Sequence, residues 1–159
     1  MMELTKATAA FAFKKQLYET VRDLMAGTPE TADVYVCFGL PGTFSPEDII
    51  AFNRIESGQD PATLSSNRAR EETLTATVTI SCFRGGGEEA ELVAAERCYE
   101  LLRLIEHQVR MVDTTVGGTV RDCFLTSHES DGETPEDLAS SGRVIDVNAT
   151  FTAHARVRA

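Results

Sequence analysis

Glu72-Thr73-Leu74-Thr75-Ala76-Thr77-Val78-Thr79-Ile80-Ser81-Cys82-Phe83 alternates between two faces along its whole length. Leu74, Ala76, Val78, Ile80 and Cys82 point one way, and Thr73, Thr75, Thr77, Thr79, Ser81 and Phe83 the other, the two-residue period of a strand covered on one side. Threonine is β-branched and favours strands, yet its hydroxyl keeps the second face wet or available to a partner. A central strand of a doubly wound catalytic sheet would be apolar on both faces, so this pattern argues against a Rossmann-like enzyme.

A second alternating run closes the sequence. Ile145, Val147, Ala149, Phe151, Ala153, Ala155 and Val157 interleave with Asp146, Asn148, Thr150, Thr152, His154 and Arg156, predicting a long strand over 143–157 with one apolar face. The segment 120–128 alternates less regularly, Val120, Asp122, Phe124 and Thr126 opposing Arg121, Cys123, Leu125 and Ser127. Val34 to Phe38 reads as a shorter strand closed by the Gly39-Leu40-Pro41-Gly42 turn.

Two helices accompany these strands, one before the first and one after the Thr ladder. Ala10, Phe13, Leu17, Val21 and Leu24 recur at helical spacing within 5–25, and Gly27 and Pro29 stop that helix. After the Gly85-Gly86-Gly87 corner, Leu92, Ala95, Tyr99, Leu102, Ile105 and Val109 predict a buried stripe on a helix from Glu88 to about Met111, widened by Cys98, Leu101 and Val112. Glu88, Glu89 and Glu91 suit the positive end of its dipole, which is capping chemistry rather than catalysis.

The stretch 48–55 reads locally as a short helix, capped by Ser45 with Pro46 at its first position and Asp48 three residues after the cap. The residues 56–70 then read as a long polar loop, in which Arg54 at its entrance, Arg68 and Arg70 are candidates for contacts made on assembly. Residues 129–141 form an acidic surface loop. The expected fold class is α+β, one mixed and mostly antiparallel sheet packed against two main helices within a single domain, 1–159.

Composition narrows the function. A formal charge of −10 disfavours a protein that grips a nucleic-acid backbone and gives no support to an anionic membrane partner. No segment approaches the roughly eighteen apolar residues of a membrane span, and the start lacks a signal-peptide core, so a cytosolic protein is expected. Cys37, Cys82, Cys98 and Cys123 are dispersed through apolar segments without a Cys-x-x-Cys pair and read as core thiols. His107, near the buried helix stripe, and His128 and His154, on strands, have no local nucleophile or orienting partner. Asp131, Glu133, Glu136 and Asp137 lack the spacing of a calcium loop, and the triple glycine lacks the Lys-Ser or Lys-Thr ending of a phosphate loop. No catalytic residue, cofactor or metal is assigned.

The order of these elements, with Glu72 through Glu106 followed by two strands, resembles the lambda-like tail terminator family of long-tailed bacteriophages over nearly the whole chain. Related head–tail connector and neck proteins share the texture, and a small cytosolic enzyme or ligand-binding domain is the alternative from another class. The resemblance implies a hexameric ring that caps the completed tail tube, ends its polymerisation and presents a head-attachment interface. It further implies a structural protein of the virion tail at its head-proximal end, assembled in the host cytoplasm. Its partners would be copies of itself, the major tail-tube protein, a connector or neck protein, and DNA passing without sequence-specific contact. It favours a strand over 48–55, and self-association through the sheet edges and the Thr face, with Thr75, Thr77 and Thr79 as contact residues beside Arg54, Arg68 and Arg70.

Overall fold

The computed structural model describes residues 6–42, 46–62 and 68–158. Its element order is α1 (Ala10–Ala26), β1 (Tyr35–Cys37), β2 (Asp48–Pro61), β3 (Arg70–Arg84), α2 (Glu88–His107), β4 (Asp122–Glu129) and β5 (Arg143–Val157). The strands form one five-stranded sheet in the order β1-β2-β3-β5-β4. Only β1 and β2 run parallel; the remaining neighbours are antiparallel. The protein is therefore α+β, with a mixed, mostly antiparallel sheet packed against helices.

The alternation of the Thr ladder carries the layering. Leu74, Val78, Ile80 and Cys82 of β3 are fully buried and meet Ile145, Val147, Ala149, Phe151 and Ala153 of β5 in the same core. β3 pairs with β5 without interruption from Arg70↔Val157 to Arg84↔Arg143, so two strands of matching period share both faces in register. α1 packs on β1 and β2 through Phe13, Leu17, Val21 and Met25, and α2 packs on β3 and β5. Both helices cover the same face.

α2 lies on a different stripe from the one its large residues suggest. Ala90, Ala94, Cys98, Leu101, Leu102 and Ile105 are buried, whereas Leu92 (71% exposed), Tyr99 and Val112 face outward. Small residues at i, i+4 and i+8 let the first half of the helix approach the sheet closely: the Cys98 thiol lies 3.2 Å from the Ile145 carbonyl oxygen. The helix ends at His107, and a π-turn over Gln108–Val112 widens the ladder so that Val109 is buried while Met111 stays exposed. His107 is exposed, not set against the buried stripe.

The local helix expected over 48–55 is a strand. Ile50 and Phe52 face Ile80 and Val78 across β2–β3, while β1 pairs on the other side, so this segment gains two strand neighbours where a lone helical turn would gain none. The supposed cap, Ser45, lies outside the described residues. β2 bulges between Phe52 and Ile55, then continues opposite β3 to Pro61. The expected 56–70 loop is thus the outer half of a hairpin, reduced to a connection closed by the Ala62 amide donating to the Ala69 carbonyl at 2.8 Å. The polar composition of 56–61 reflects an exposed strand rather than irregular backbone; the positions 63–67 lie outside the described residues.

Two buried carboxylates tie the layers together. Glu72, 1% exposed, lies on the inward row of β3 and accepts the Ala9 amide at 2.7 Å, the Gln59 side chain at 3.0 Å, and the Thr8 and Ser57 hydroxyls. It thereby caps α1, where a negative charge meets the helix dipole favourably. Asp48, 3% exposed, accepts Arg84 at 2.7 Å and Arg97 at 3.0 Å. Arg97 also reaches the Glu30 carbonyl, joining the start of β2, the end of β3, α2 and the turn after α1.

The segment 129–141 is a surface loop with one short helical turn at Glu136–Leu138, pinned through Thr134. The Thr134 amide donates to Glu91 at 2.8 Å, and its hydroxyl bridges the backbone of Val144.

Candidate functional site

The sheet face away from both helices carries a polar, mostly uncharged centre. Across β3 and β5 the outward pairs run Thr73↔His154, Thr75↔Thr152, Thr77↔Thr150 and Thr79↔Asn148. The Thr79 hydroxyl donates to Asn148 Oδ1 at 2.7 Å and accepts from Asn53 Nδ2, so it is already engaged within the sheet. Thr75 and Thr77 are half-buried, with no side-chain hydrogen bond among the described residues.

β4 completes one side of this face. Asp122 and Phe124 point outward, and the irregularity between Leu125 and Ser127 brings Ser127 opposite Thr150, which is why the alternation over 120–128 reads imperfectly. Thr126 donates to the Thr150 carbonyl at 3.2 Å and shares a hydrogen bond with Thr152 at 2.8 Å. Thr77, Ser127, His128, Glu129, Asn148 and Thr150 border an open hollow of about 310 Å³. At one end of the face Arg121 and Arg156 hold Glu71 at 2.7 and 3.4 Å and His154 Nδ1 meets Asp122 at 2.7 Å, while Asp146, opposite Ser81, stands exposed at the other.

The predicted arginines do not form a single cluster. Arg54 stands at the β2 bulge, exposed and paired with Glu56 at 2.7 Å. Arg68, also exposed, has a left-handed backbone (φ 49°) in the hairpin connection. Arg70 begins β3 opposite Pro61 and donates to the Lys6 carbonyl at 2.9 Å, so it holds down the segment before α1.

The arrangement supplies no assembled acid–base or nucleophilic set among the described residues. The His154 ring bonds Asp122 but no hydroxyl or thiol, and the His128 ring packs edge-on against Tyr99 at 5.5 Å. All four cysteines are free and buried. Burial pushes the Cys123 thiol up to about 12, and the neighbouring Cys98 thiol together with burial pushes Cys82 up, so neither supplies a thiolate near neutrality. No group of three metal-ligating side chains occurs among the described residues, and no described helix is long and apolar enough to cross a membrane.

Asp48 and Glu72 were legible in principle: each stands in the inward phase of its strand, Asp48 with Ile50 and Phe52, Glu72 with Leu74 and Ala76. A charge in the core phase signals a buried partner set, here two guanidiniums and a helix start. No family model matches the chain, and no curated protein matches it.

Proposed function

We propose that the protein is a structural assembly protein of the tail-terminator kind, forming a ring that caps a phage tail tube, ends its polymerisation and offers a surface for head attachment. The observation that carries this reading is the one-sided layering. Both helices cover one face of the sheet, which leaves a Thr-rich face with a polar centre, with β1 and β4 as the outer strands. Broad, shallow polar surface of this kind suits protein contact, whereas a small-molecule site is concave with convergent polar groups. If the Thr face or the acidic side chains on it border the channel, the phosphate backbone slides past without adhering, in keeping with the charge of −10.

Tail-tube protein polymerised with and without the purified protein, and measured by electron microscopy, tests the proposal. Tubes that stop at a defined length with a ring at one end are expected. Tubes whose length distribution is unchanged by a molar excess of the protein would overturn it.

A ligand-binding reading is favoured by one observation, the 310 Å³ hollow at Ser127 and His128. Saturable binding of a small polar ligand, abolished by Ser127→Trp, is the outcome that would support it.

A further inference from the structure

The row Cys37–Ala51–Thr79–Asn148–Glu129 crosses the sheet from one edge to the other, and the two ends of that row are chemically opposite. Beside Cys37, Phe38 carries the Lys14 ammonium 4.2 Å above its ring and packs edge-on against Phe11, which is 67% exposed. Of the chain's three lysines, Lys14 and Lys15 stand on α1 on this side, while Lys6 lies at the far end of β3, where Arg70 holds its carbonyl. At the other end Glu129 opens a loop with five acids and no Lys or Arg as far as Asp137. Thr134 fastens that loop to Glu91 in the first turn of α2, beside Glu88 and Glu89, and Leu92 and Leu138 stand exposed among these acids.

We propose that these two unlike edges dock on each other between copies of the chain, the Lys14–Phe38 patch of one copy against the Glu129–Asp137 loop and Leu92 of the next. The inference rests on the ring reading above and names its subunit interface. A contact between two β4 edges would set acid against acid, and one between two β1 edges would set lysine against lysine across a three-residue strand. Only the unlike pairing joins opposite charges and covers exposed apolar groups on both sides. Such a head-to-tail contact repeats around an axis and closes as a ring when the rotation permits.

Carbodiimide coupling of a mixture of unlabelled and ¹⁵N-labelled protein reads the contact directly, because it joins amines to carboxylates with no spacer. Mixed-isotope peptides linking Lys14 or Lys15 to an acid between Glu129 and Asp137 are expected. Native mass spectrometry of the Lys14→Glu/Lys15→Glu variant should show loss of the oligomer, restored by mixing it with the Asp131→Lys/Glu133→Lys variant. A wild-type protein that stays monomeric at every attainable concentration, an oligomer that survives the lysine reversals, or mixed cross-links that map elsewhere would each overturn the proposal. A ring built through these edges that leaves tubes growing would instead remove the capping function and leave the interface standing.

Discussion

Asp48 and Glu72 hold charge inside the protein by different means, and their substitution separates the two. Asp48→Asn leaves Arg84 and Arg97 without their shared counter-charge and should cost about 3 kcal/mol, since stranding one side of a buried ion pair is strongly destabilising. Glu72 faces no guanidinium in its set of four donors, so Glu72→Gln weakens hydrogen bonds and the cap of α1, at about 1–3 kcal/mol. Burial alone would raise both pKa values. The hydrogen bonds from Arg84 and Arg97 to Asp48, and from Ser57, Thr8, Ala9 and Gln59 to Glu72, outweigh it and hold both carboxyls below the usual range. Their stabilisation is fully present above the unfolded-state values, about pH 4, and is lost as the pH falls through the lower folded values. Urea midpoints measured between neutral and acidic pH should therefore fall on the acid side, and the double variant should show a shallower decline.

Elements whose pattern is set by their own neighbours in sequence were the most legible. β3 and β5 alternate cleanly because one face of each meets the core, and the structure keeps those faces. β2 was not legible over Asp48–Pro61, because Pro46 and Asp48 imitate a helix start while the partners that make it a strand lie far away in β3. The stripe of α2 was displaced because alanine and cysteine, weak hydrophobic signals, make the closest approach to the sheet, while Leu92 and Tyr99 do not. The hairpin now divides the two candidate arginines at its outer end. Arg68→Glu should lengthen capped tubes without moving the thermal midpoint, whereas Arg70→Glu should lower the midpoint by releasing the Lys6 carbonyl, both read by calorimetry beside the capping assay. Gly142, before β5, has φ 141°, and an added Cβ would lie 2.5 Å from the Phe83 ring and 2.9 Å from the Arg84 carbonyl oxygen. Gly142→Ala should cost about 1–3 kcal/mol in chemical denaturation.

For the whole molecule, the readable part was its kind of surface and core: a polar β face and dispersed, buried thiols. The complementarity of the two edges was not readable, because it needs the strand order that places α1 and the 129–141 loop on opposite sides. Association through those edges should weaken as salt rises from about 0.05 to 0.5 M, over which screening shortens to a few ångströms, and sedimentation velocity would follow it. The strand order also sets a timetable for synthesis. β5 leaves the ribosome after the other four strands of this sheet, yet it is the one that joins β3 to β4, so a nascent chain halted before Arg143 holds two open seams and only part of its core. Pairing over such sequence separations is slow to nucleate. A ring built from this chain would therefore be assembled from finished molecules rather than from neighbours still being translated on one message.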